Sequence, residues 1–319
     1  GMSLLPFLAA GQTHKKGKDN KYQETVEKGL AWLLKQQKKA DGSFSSGMYS
    51  NAIASVAVCE AFGMTSDKAL LLRPAQSAVE FIEKAQGPNG SWGYTSGTEG
   101  DTSIVGWQIQ ALHSAKMCKE LKVDPKVLEK AMKFLDSVAS KPKGSSVMCL
   151  FGYRTPGARP SLTAVGLLCR YYLNGWGSNS PGFRDGAEYL LKEHPPADNQ
   201  EFDMYYYYYA TQVLHYREGE EWAKEWNPKM RDMLIKKQVI VPEVGSGDVP
   251  VEIFRLQVNR VAVRQNDLQS VGDSHRRAFV KIRRCRKGGG IVVRHRLDFL
   301  NLATRDPAPI PPRMAMYRR

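Results

Sequence analysis

Asp101 is the residue best placed for acid chemistry, standing in the run Thr98-Glu99-Gly100-Asp101-Thr102-Ser103. A carboxylic acid that donates a proton must keep that proton and be held by hydrogen bonds. The same residue opens an apolar run of helical spacing, where a carboxylate serves equally well as an N-cap. Both readings stand at this point. A second group is the stretch FDMYYYYYATQ, Phe202 to Gln212. On a helix Tyr205, Tyr208 and Tyr209 share a face, while Tyr206 and Tyr207 point away. Together with Trp107, Tyr153 and Asp203 they form the candidate ligand-binding set. Aromatic faces attract cations, and tyrosines also fill helix contacts that keep one wet edge. The five cysteines, Cys59, Cys118, Cys149, Cys169 and Cys285, make no C-x-x-C pair. Cys59, Cys118 and Cys169 lie among apolar residues, as buried reduced thiols do. His113 and His215 have no ligand partner at metal spacing. No metal and no cofactor is expected.

The elements that position these residues repeat. KGLAWLLKQQKKADGSF, Lys28 to Phe44, aligns with SAVEFIEKAQGPNGSW, Ser77 to Trp92. Trp32-Leu33 falls on Phe81-Ile82, Gln37 on Gln86, and Gly42-Ser43-Phe44 on Gly90-Ser91-Trp92. Weaker copies carry Phe134-Leu135, Tyr189-Leu190 and Met233-Leu234, at intervals of roughly fifty residues. Each anchor sits on an amphipathic helix: Tyr22, Val26, Leu30, Leu33 and Leu34 share one face, as do Ala75, Ala78, Val79 and Ile82, and Phe183, Ala187, Leu190 and Leu191. In the fifth copy the stripe is Trp222, Trp226, Met230, Met233 and Leu234. After each turn comes a helix apolar on most sides, and such helices are buried. The unit is an outer helix, a Gly-aromatic turn and an inner helix, with no strand expected within residues 20–238. Asp101 with Thr102, Ser161 and Asp203 stand at inner-helix starts, where their oxygens can cap free N–H groups. SLLPFLAAGQT, Ser3 to Thr13, lies over SVAVCEAFGMT, Ser55 to Thr65, so the array is expected to begin inside an inner helix, truncated at its N-terminal end.

Lys28-Gly29-x-x-Trp32-Leu33-x3-Gln37-x4-Gly42-x-Phe44 resembles the Gln-Trp repeat of squalene–hopene and oxidosqualene cyclases. These belong to the terpenoid cyclase and protein prenyltransferase superfamily. The chain is also similar to bacterial prenyltransferase or squalene oxidase repeat proteins. The likeness covers about residues 3–238 and implies an all-α fold, an α/α toroid that is here incomplete. It implies that the repeat's Gln and aromatic tie the end of an outer helix to the start of an inner one. The third and fourth copies replace the Gln with Ala139 and His194. The cyclases use an Asp-x-Asp-Asp-Thr-Ala motif whose middle Asp is the acid; Gly100 occupies that place here. The resemblance therefore implies a relative without cyclase activity that binds an apolar or isoprenoid ligand, or a protein partner, in the ring. The alternative is an active cyclase-type isomerase or lyase with an altered acid site at Asp101 or Asp203. The prenyltransferases' zinc-binding Asp-x-Cys is absent, as is the thioester motif Gly-Cys-Gly-Glu-Gln.

The formal charge of +14 concentrates in one place. Residues 1–238 carry 23 Lys and 7 Arg against 25 acidic residues, whereas 239–319 carry 2 Lys and 14 Arg against 7. All six Trp precede the split. Residues 1–238 are thus read as the repeat domain and 239–319 as a basic tail. The tail alternates like strands in VPVEIFRLQVNRVAV, which allows a β-rich nucleic-acid binder. The break where an inner helix is due favours a non-native reading frame or a disordered end, and nucleic acid is not the expected partner. No apolar run is long enough to span a bilayer. The apolar N-terminal stretch lacks a basic leader, which favours the cytoplasm. Deleting residues 239–319 is expected to leave the thermal midpoint of the rest nearly unchanged. A cooperative melt of the isolated tail would establish it as a domain instead.

Overall fold

The apolar stripes fold as their spacing dictates. In α2 (Gln23–Gln36), Val26, Leu30 and Leu33 are buried on one side. In α4 (Arg73–Lys84) the buried set is Ala75, Ala78, Val79 and Ile82. The same holds for Val127, Leu128, Ala131, Phe134 and Leu135 in α6 (Pro125–Ser137), and for Phe183, Ala187 and Leu190 in α8 (Pro181–Glu193). Between them run helices buried nearly all round: α3 (Met48–Thr65), α5 (Thr102–Lys116), α7 (Pro160–Asn174) and α9 (Met204–Arg217). This is a computed structural model, and it describes residues 1–45, 47–196 and 203–236. The tail falls outside the described residues.

Consecutive inner helices pack side by side, α3 on α5, α5 on α7 and α7 on α9. Each outer helix α4, α6 and α8 rests against the inner helices before and after it. A short helix, α1 (Leu5–Ala9), packs on α3. Gly29 of α2 leaves room for Leu4, whose Cδ2 would lie 2.7 Å from a Cβ there. These elements form one unit, Gly1–Pro195 with Phe202–Arg217. The second unit contains Glu218–Lys236 among the described residues: a π-helical turn, Glu221–Trp226, followed by and packed on α10 (Asn227–Lys236). Its stripe of Trp222, Trp226, Met230, Met233 and Leu234 is buried.

The repeated glutamine does specific work. Gln37 Nε2 donates to its own turn at Gly42 O (2.9 Å) and to Pro74 O in the first turn of α4 (2.9 Å). Gln86 Nε2 donates to Gly90 O (3.0 Å) and to Val127 O in the first turn of α6 (2.9 Å). The amide therefore ties the turn to the next outer helix, not to the inner helix that the resemblance implied. The turn glycines complete this contact. Gly42 and Gly90 have φ of +81° and +85°, and a Cβ on either would lie 2.3 Å from Ser77 O or Lys130 O of that same next helix. Only glycine fits both the left-handed backbone and the close approach. Trp92 is fully buried and donates Nε1–H to Ile82 O (2.8 Å).

Of each aligned pair it is the second residue (Leu33, Ile82, Leu135, Leu190, Leu234) that is buried in every copy, while Trp32 is 61 % exposed. Two expectations need correction. A strand pair does occur: β1 (Ala139–Ser140) pairs antiparallel with β2 (Leu150–Phe151). It lies in the third copy, where Ala139 replaces the Gln and the longer turn closes on itself by backbone hydrogen bonds. With two residues per strand, the fold remains all-α. Ser161 does not cap α7, which has no side-chain cap.

Replacing Gln86 by Ala removes two hydrogen bonds and is expected to cost about 1–3 kcal/mol of unfolding free energy. Gly90→Ala, which also displaces the neighbouring helix, should cost more than Gln86→Ala. Urea denaturation of the two variants measures both.

Candidate functional site

The start of α5 is built by the loop before it. Gly97 N–H donates to Ala85 O, Gly93 N–H to Thr98 O, and Gly100 N–H to Ser91 Oγ. Residue 100 is pressed on the chain so closely that a Cβ would stand 1.6 Å from Trp92 O. No side chain, and so no acid, fits at that position. Asp101 follows, fully buried, as the N-cap of α5. Its Oδ1 accepts from Ser103 N–H (2.9 Å), from Ile104 N–H (3.4 Å) and from the Ser103 hydroxyl. Thr102 anchors the next loop, donating Oγ1–H to Gly152 O (2.7 Å) and N–H to Tyr153 O (3.0 Å). That anchor brings Tyr153 beside Asp101.

Phenols gather around this helix start. Tyr49, at the second position of α3, donates to Ser103 Oγ, so hydroxyls connect Tyr49 through Ser103 to Asp101. Tyr205 of α9 donates to Ser103 O (2.9 Å). Tyr94 and Tyr153 join hydroxyl to hydroxyl at 3.2 Å. Burial, and then the charge of Asp101, push the Tyr49 phenol up to about 12. Tyr153 is raised further, first by burial and then by Asp101 and Tyr94. Arg154 lies over the Tyr153 ring at 5.7 Å from its centroid. The raised phenols of Tyr49, Tyr153 and Tyr205 are neutral at physiological pH.

The tyrosine run divides by face. Tyr208 stacks on Trp107 (4.8 Å between centroids), and Tyr209 meets Trp107 edge-on (5.5 Å). Trp107 is 3 % exposed and Tyr209 fully buried, so packing describes both. Gly106 permits the approach, since a Cβ there would lie 2.9 Å from the Tyr209 hydroxyl. Tyr205 and Tyr208 stay half-buried. Tyr206 turns to α8 and donates to His194 O (2.8 Å). Asp203 is exposed and caps α9, accepting from Tyr205 N–H (2.9 Å) and Tyr206 N–H (3.1 Å). The structure thus brings Asp101, Tyr153 and Tyr205 together, adds Tyr49, Tyr94 and Ser103, and leaves Asp203 at the helix end. Tyr49 had a signal: it sits on an inner helix start as Thr102 does.

No described group of three or more His, Cys, Asp or Glu residues is arranged to hold a metal. Burial pushes the Cys118 and Cys169 thiols up to about 12, which leaves them protonated and unreactive. No family model, no curated protein and no solved structure matches the chain. The arrangement can donate hydrogen bonds and present aromatic faces. Its buried carboxylate is tied to the start of α5 through Oδ1, while Oδ2 has no hydrogen-bond partner among the described residues.

Asp101→Ala is expected to lower stability by about 1–2 kcal/mol through loss of the cap. Asp101→Asn, which keeps an acceptor at Oδ1, should lose less than half as much. Thermal or chemical melts of the pair give the comparison.

Proposed function

We propose that residues 1–238 form an incomplete α/α toroid related to the squalene cyclase and prenyltransferase-like repeat proteins, and that it binds an apolar or isoprenoid molecule without cyclising it. The observation that carries this reading is the packing at residue 100. The backbone carbonyl of Trp92 occupies the space an acid would need. The neighbouring carboxylate, Asp101, is buried and holds the end of α5. An alkene entering here meets aromatic faces and neutral hydroxyls, which bind it but do not protonate it. Tyr49, Tyr94, Tyr153 and Tyr205, none of them fully buried, are the contacts such a ligand would use. A protein segment with apolar side chains would use the same rings.

A second reading draws on the hydroxyl chain from Tyr49 through Ser103 to Asp101. A lyase or isomerase with an altered acid would move its proton along that chain. Basic nucleic-acid binding would fall to the tail. No described helix is long and apolar enough to cross a membrane.

Incubation with squalene and with oxidosqualene, followed by mass analysis of products, is expected to show neither cyclised. Farnesol should bind saturably, and Tyr205→Leu with Tyr153→Leu should weaken that binding. Product formation that Asp101→Asn abolishes would establish the second reading.

A further inference from the structure

Further along the inner helices a carboxylate stands without a cation. Glu60, near the end of α3, is half-buried. The Ser114 hydroxyl of α5 donates to Glu60 Oε1 at 2.5 Å. Among the described residues no Lys, Arg or His forms an ion pair with Glu60. Burial raises the Glu60 pKa, and the Ser114 bond only partly offsets this. His113 beside it does not supply the charge: burial, then Lys116, lower its pKa to about 4.

Rings and an unused amide meet the same stretch of α5, at Gln110 and His113. The charge of Glu60 reaches the phenols of Tyr172 on α7 and Tyr208 on α9. Tyr172 lies flat on His113 (4.2 Å between centroids), as Tyr208 does on Trp107. Gln110 precedes Ser114 by one turn on the same face of α5. It is 6 % exposed, and its Oε1 accepts from the Tyr208 hydroxyl at 3.0 Å. Its Nε2 is buried with no hydrogen-bond partner. An orphaned amide donor and an unpaired carboxylate are both costly in the interior.

We infer that Glu60, Gln110, Tyr172 and Tyr208 bind a small organic ammonium that also carries a hydrogen-bond acceptor. The ammonium N–H donates to the Glu60 carboxylate in a charge-assisted bond. The tyrosine faces add cation–π attraction. The ligand's hydroxyl or carbonyl oxygen accepts from Gln110 Nε2. This site is separate from the Asp101 cluster and does not depend on the function proposed above.

The test is calorimetric titration of the full chain with 4-amino-1-butanol, n-butylammonium and 1-pentanol at millimolar concentrations. The expected order is 4-amino-1-butanol, then n-butylammonium, with 1-pentanol silent. Glu60→Gln, checked for folding by circular dichroism, should weaken both amines at least tenfold. Gln110→Leu should erase the preference for the amino alcohol. Tyr172→Leu, which keeps the carboxylate, should weaken both amines severalfold. The inference is overturned if 1-pentanol binds as tightly as the amines, if Glu60→Gln retains full affinity, or if the native chain binds neither amine.

Discussion

One side-chain amide joins each early repeat to the next. A helix N-terminus leaves N–H groups unpaired, while its first carbonyls are already committed to intrahelical bonds and retain a second lone pair. Gln37 and Gln86 use that spare capacity, each dividing its two amide hydrogens between its own turn and the first turn of the following outer helix. The turn glycine sits three residues further along the same helix, close enough to exclude any side chain. Two contacts, at Pro74 and Ser77 in one case and at Val127 and Lys130 in the next, fix both the spacing and the rotation of neighbouring outer helices. Inner helices then have little freedom in how they pack.

That constraint carries through to the phenol cluster. The turn that holds Gln86 and Gly90 continues directly into Trp92, Gly93 and Gly100, and so into Asp101. Trp92 is pinned to α4 by its indole, and its carbonyl closes the space at Gly100. The clamp therefore also sets where α5 begins and which residue caps it. In the third repeat, where Ala139 replaces the glutamine, a longer turn and a two-residue strand pair take over, and Gly152 and Tyr153 receive Thr102. The conserved geometry of two turns and the altered geometry of the third meet at the same tyrosine hydroxyls.

Helix identity and burial were legible because the stripes are strongly periodic. Ala75, Ala78, Val79 and Ile82 follow the helical period, and all four are buried. The repeat register was legible in Gln37 and Gln86. What the glutamine bonds to was not, because the acceptors, Pro74 and Val127, are backbone carbonyls and carry no residue signal. Of the aligned pair Trp32-Leu33 it is Leu33, already a member of the apolar stripe, that is turned inward. Asp101 was recognised as both cap and acid candidate. The obstruction at Gly100 was not legible, because it is a backbone carbonyl from eight residues earlier. Tyr49 and Ser103 reach Asp101 only through helix packing, and Glu60 meets Ser114 across two helices 54 positions apart in the chain.

The amide clamp can be observed directly by NMR on the labelled protein, through the side-chain resonances of Gln37 and Gln86. Through-bond couplings from the Gln86 side-chain nitrogen to the carbonyl carbons of both Gly90 and Val127, together with slow solvent exchange of its two amide protons, are the predicted result. Equal protection is predicted for Gln37 with Gly42 and Pro74. Side-chain amide protons that exchange at the rate of a free glutamine, or couplings confined to the turn carbonyls, would contradict the account.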